Sequence, residues 1–137
     1  MWLPPLTFSA LLPCILALAE EPEAGKCSAI DELKMAAYGG GHGEGSFPKR
    51  LSDCGKENYS IFSGLNKRKF LECVEGMGLG DQCSKCFLKS AEYGSKNCKW
   101  ACFFGSWCGK GCLDCVGKVN DETRKCAGVS VPQATSC

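Results

Sequence analysis

Residues 83–115 read CSKCFLKSAEYGSKNCKWACFFGSWCGKGCLDC. Seven cysteines and the aromatics Phe87, Tyr93, Trp100, Phe103, Phe104 and Trp107 fall inside this one stretch. Such a segment is either a cross-linked knot or a metal site. Its spacing is helical. Cys83, Cys86, Phe87, Ser90 and Ala91 form a 3.6-residue stripe, with a stop expected at Gly94. Asn97 is expected to cap a short helix with Cys98 and Cys102 on one face, and Ser106 a third with Cys108, Cys112 and Cys115. Gly109 and Gly111 each weaken that third helix by about 1 kcal/mol, so its formation depends on cross-links.

The cysteine spacing repeats downstream. Cys83-x2-Cys86-x11-Cys98 corresponds to Cys112-x2-Cys115-x10-Cys126, and Lys89 to Lys118, which predicts two related helix-loop-helix units. The paired C-x2-C spacings also suit a four-thiolate zinc site. The start of the chain decides between metal and disulfide. Residues 1–19, MWLPPLTFSALLPCILALA, carry no charged side chain and end small-x-small before Glu20-Glu21, the pattern of a signal peptide cleaved after Ala19. Of the 13 cysteines, Cys14 lies within that leader. Its removal leaves an even set: Cys27, Cys54, Cys73, Cys83, Cys86, Cys98, Cys102, Cys108, Cys112, Cys115, Cys126 and Cys137. An exported chain of this cysteine density oxidises, so six disulfides are expected, with no metal and no cofactor. The pairing itself cannot be read from spacing.

Cys98-x3-Cys102 and Cys108-x3-Cys112 resemble the paired C-x3-C arrangement of the α-hairpinins, small plant helical-hairpin peptides. The likeness covers 15 residues and implies geometry alone. A redox role for either C-x2-C needs an accessible low-pKa thiolate beside a thioredoxin-type sheet, and no βαβ pattern accompanies these.

Upstream of the knot, Asn66 begins a helix whose stripe is Phe70, Cys73, Val74 and Met77. Lys67, Arg68 and Lys69 occupy its first turn, where positive charge opposes the helix dipole. Leu51–Leu65 reads mostly as loop, with a glycosylation sequon at Asn58-Tyr59-Ser60. Lys49-Arg50 is a dibasic pair in a stretch expected to be exposed. Gly39–Pro48, GGGHGEGSFP, has high backbone entropy and is expected to stay flexible unless something binds it. It holds His42, the only histidine, read as solvated. Tyr38-Gly-Gly-Gly resembles in outline the calcium loop of the secreted phospholipases. That family needs a further His-Asp pair, which a single histidine excludes. Ser28 with Asp31 predicts a capped helix over Ala29–Tyr38, with Ile30, Leu33 and Ala37 facing inward and Cys27 tying down its start. Downstream, Asn120 or Asp121 is expected to cap a helix ending at Cys126, and a bridge at Cys137 to anchor the tail.

The expected fold is therefore mainly α: a small disulfide-rich secreted domain of about five short helices with long irregular N-terminal loops. Its organisation is read as a leader over residues 1–19, a helix and Gly-rich loop region over 20–65, and a cysteine-rich helical domain over 66–137. Net charge is +1, divided as −3 before Asn66 and +4 after it. No concentrated basic stripe accompanies this, which speaks against nucleic acid. No segment after the leader is apolar enough to span a membrane. No nucleophile–base pair or carboxylate pair has a catalytic setting, so no catalytic residue is expected. Two functional classes stand: a secreted non-catalytic binding or extracellular structural protein with a protein, glycan or lipid partner, and a membrane-active effector of toxin or antimicrobial type. Trp100, Phe103, Phe104 and Trp107 are the candidate partner contacts; their helical spacing favours packing on the disulfides, with Trp107 the most exposed.

Overall fold

The structure is a computed structural model that describes residues 25–137. The expected leader and its cleavage point lie outside them. The fold is mainly α and rich in disulfides. Seven helices are seen among the described residues: α1 (Ala29–Tyr38), α2 (Phe47–Glu57), α3 (Lys67–Gly76), α4 (Asp81–Asn97), α5 (Lys99–Cys102), α6 (Lys110–Gly117) and α7 (Asn120–Ala127). A short antiparallel hairpin, β1 (Tyr59–Ser60) with β2 (Gly64–Leu65), joins α2 to α3; Tyr59 pairs with Leu65 and Ser60 with Gly64.

The first helix forms where its caps place it. The Ser28 hydroxyl accepts the Asp31 amide at 3.1 Å, and the Asp31 carboxylate accepts the Ser28 amide at 2.8 Å. Its inward face, however, is not the one its aliphatic residues suggest. Ile30 and Leu33 are 64% and 71% exposed, Ala37 is exposed too, and Asp31 and Met35 are buried instead. The physical reason is Asp31. Its other oxygen accepts the Gly80 amide at 2.9 Å, so a satisfied carboxylate turns the Asp31–Met35 face inward.

The segment expected to be loop from Leu51 contains α2. Ser46 caps it, Pro48 fits its first turn, and Phe47, Leu51 and Cys54 make an i, i+4, i+7 stripe. Phe47 and Cys54 are buried, and Phe47 meets Phe87 of α4 edge-on at 5.3 Å. Lys49-Arg50 therefore lies in a helix: Lys49 pairs with Asp53, and Arg50 sits over the Tyr38 ring at 4.9 Å. Helix α3 follows its predicted stripe, with Phe70, Val74 and Met77 buried and Cys73 half-buried.

Helix α4 does not stop at Gly94 but runs on to Asn97. Gly94 faces α6, where a Cβ would meet the Val116 side chain at 3.7 Å, and a single glycine costs a helix only about 1 kcal/mol, too little to end it here. The later helices start elsewhere than expected as well. Asn97 ends α4, α6 begins after Gly109 and leaves Cys108 outside, and Val119 precedes α7. The two C-x2-C units thus differ in build: the first is one long helix, the second a helix-turn-helix.

The core sits between α1, α2, α3 and α4, around Met35, Phe47, Phe70, Val74, Leu79 and Phe87. Ala127 closes it from α7. There the end of α7 packs against residues 25–27: Lys26 and Cys27 donate to the carbonyls of Cys126 and Ala127 at 2.8 and 3.0 Å. Gly128 ends α7 at φ +69°, and its Cα would lie 2.3 Å from a Cβ built on Gly25, so both positions require glycine.

Candidate functional site

The twelve cysteines from Cys27 to Cys137 form six disulfides: Cys27–Cys83, Cys54–Cys73, Cys86–Cys126, Cys98–Cys115, Cys102–Cys112 and Cys108–Cys137. Cys73 is bonded to α2 rather than to the knot. The echo between the C-x2-C units reappears as reciprocal bonding, since the second cysteine of each unit pairs with the third of the other (Cys86–Cys126 and Cys115–Cys98). Cys98–Cys115 and Cys102–Cys112 nest one inside the other and bind α5 to α6. Here the likeness to the C-x3-C hairpin fails in detail. Cys108 faces the tail, and Cys115 takes its place. Neither C-x2-C can ligate zinc, because all four thiolates are spent. The tight group Cys27, Asp31 and Cys83 is spent in the same way, its two sulfurs being bonded to each other.

Between α2, α4, α6, α7 and the tail lies a cleft of about 240 Å³. Its walls are largely apolar: Leu51, Leu65 and Ala91 from the core side face Phe103, Leu113 and Val116 from the knot. Val131 and Pro132 of the tail also line it. Ser52, Ser90, Ser95, Asn120, Thr123 and Gln133 add polar groups, and among the described residues Lys56 and Arg124 are the charged ones in the lining.

The tail crosses this cleft as a strap. The Gln133 carbonyl accepts the Gly41 amide at 2.9 Å, and Thr135 donates its amide to the Gly41 carbonyl at 3.3 Å. The Thr135 hydroxyl also bonds the His42 ring at 2.8 Å, and Cys137 closes the strap onto Cys108. The Gly-rich loop is therefore an ordered partner of the tail, not a free segment, while His42 is exposed as read, with its ring bonded to Thr135. Gly39, Gly41 and Gly45 take positive φ, which makes the loop's sharp path accessible. His42 is not part of the cleft lining.

The four aromatics nominated as partner contacts divide. Trp100 and Phe104 are the exposed pair, 73% and 62%, and stack on each other at 4.9 Å. Phe103 is half-buried and stacks on Tyr59 of the hairpin at 4.2 Å. Trp107 is half-buried and lines the cleft, contrary to its expected exposure. It precedes buried Cys108, which is bonded to Cys137.

No family model, curated protein or solved structure matches this chain.

Asn58 of the sequon is half-buried and donates from Nδ2 to the Cys54 carbonyl at 2.8 Å. Asp31 is the buried carboxylate. Burial pushes its pKa up, but bonds from the Ser28 and Gly80 amides and the Ser28 hydroxyl, with the charge of Lys34, hold it below the usual carboxylate range. It serves two helix starts, not the cleft. Among the described residues no helix is long and apolar enough to cross a membrane. Sequence reasoning missed Leu113, Val116 and Val131. Leu113 and Val116 stand at i, i+3 among the cysteines of α6, and Val129 and Val131 alternate in the tail. Those were the available signals.

Proposed function

We propose that this is a secreted, non-catalytic, disulfide-stabilised binding protein that holds a small apolar molecule in the cleft. The observation that carries the reading is the cleft itself, largely apolar in its walls and framed by cross-linked helices. Its volume, about 240 Å³, exceeds the ~150 Å³ that accommodates benzene in an engineered cavity. It falls below the ~300 Å³ at which pockets for drug-sized ligands begin. A single substituted ring or a short alkyl chain fits between these limits. Cross-linking supports binding in another way: a wall already rigid loses little entropy when a ligand is enclosed. Export is supported by the complete pairing of the cysteines from Cys27 to Cys137, whose bridges need an oxidising compartment to form and persist. A non-catalytic role is supported by the placement of His42 outside the cleft lining. Half-buried Asn58 is the proposed glycan acceptor.

Calorimetric titration of the oxidised chain with toluene and with 1-octanol tests this. Saturable one-to-one binding with a negative heat-capacity change is expected. Ala91→Phe, which fills the cleft from α4, should weaken it at least tenfold in a variant whose amide spectrum shows it folded. Absence of saturable binding, or an unchanged affinity in Ala91→Phe, contradicts the reading.

A further inference from the structure

A second surface adjoins the cleft at Phe103, with its exposed residues outside the cleft lining. Ile61 and Phe62, at the hairpin tip, are 66% and 95% exposed. The exposed Trp100–Phe104 pair stands beside Phe103, and the Tyr59–Phe103 stack ties the hairpin to it. Large apolar side chains gathered this way on a soluble surface mark an interaction site.

Charge indicates what it meets. Lys96 lies one turn before Trp100 and Lys99 immediately before it, while Lys67, Arg68 and Lys69 follow the hairpin directly. Lys67 is paired with Glu92 at 3.2 Å and Arg68 with Glu72 at 3.1 Å. Among the described residues, no carboxylate forms an ion pair with Lys69, Lys96 or Lys99. Lys69 stands in the first turn of α3, where positive charge disfavours the helix, so it does not serve stability. Glu57 is the acid nearest the hairpin stem in sequence. Shape points the same way. A stable protein interface takes roughly 20–30 residues a side, whereas this patch is four side chains, Ile61 and Phe62 on the hairpin turn and Trp100 and Phe104 in and just after the short helix α5, and it needs no shaped socket. A lipid interface accepts Trp and Phe at headgroup depth and rewards lysines beside them.

We propose that Ile61, Phe62, Trp100 and Phe104, with Lys69, Lys96 and Lys99, dock the molecule on an anionic phospholipid surface. The test is co-sedimentation of the full oxidised chain with vesicles of phosphatidylcholine alone or mixed with phosphatidylserine. Binding should require phosphatidylserine and weaken as salt rises. Phe62→Ser, at a site too exposed to affect folding, should lose about tenfold in partitioning. Lys96→Gln and Lys99→Gln should each lose about fivefold. Equal binding to both vesicles, no binding to either, or unaltered binding by Phe62→Ser overturns the proposal. So does a complex with a protein that Phe62→Ser abolishes while vesicles are ignored.

Discussion

Asp31 shows how much one side chain decides. Its carboxylate closes the cap of α1 on Ser28 and, 49 residues away in sequence, accepts the amide that opens α4. The first half of that arrangement was legible, because Ser28 and Asp31 have capping-box spacing. The second was not, since nothing local announces Gly80. Counting aliphatic residues therefore chose Ile30 and Leu33 as the inner face, when a satisfied acid and Met35 occupy it. The depressed pKa makes this joint acid-sensitive: its stabilisation is present above the ordinary value of 3.8 and is lost as pH falls through the lower folded value. Asp31→Asn should cost about 1–3 kcal/mol at neutral pH. It should also flatten the loss of stability below pH 4 expected of the parent protein. Thermal unfolding of both proteins at pH 7 and pH 3 checks this.

At the scale of elements, sequence periodicity served best where a helix has one unambiguous buried stripe. Helix α3 is such a case, with Phe70, Val74 and Met77. It failed where Gly94 was taken as a stop and where the stretch from Leu51 was read as loop. Pro48 belongs to the first turn of α2, and Gly94 lies inside α4, facing Val116. The Gly-rich loop looked mobile because its partner lies at the other end of the chain. The tail supplies that partner through Gln133 and Thr135, and the Cys108–Cys137 bridge completes the strap. Removing the bridge with Cys108→Ser/Cys137→Ser should release about 3–4 kcal/mol of chain entropy. The rest of the molecule should stay folded on its five other disulfides. Amide exchange should then rise at Gly41 and Thr135, with the amides of α3 and α4 unchanged; uniform acceleration across the chain would mean that the tail is integral to the core.

For the whole molecule, cysteine density and parity, together with helical spacing, were enough to indicate a small helical body stapled by disulfides. They could not give the pairing, because each bridge depends on which helices meet, and spacing alone leaves that open. Nor could they show that the apolar core lies among α1 to α4, with residues 98–115 set beside it as a cross-linked wall. The cleft lies at that division, between the core helices and the cross-linked wall. A chemical-shift titration of the fully oxidised chain with toluene tests this most directly. The account predicts saturable shifts at the methyls of Leu113, Val116 and Val131 and at the ring of Phe103. Shifts confined to Ile61, Phe62, Trp100 and Phe104, or no saturable shift at all, would contradict it.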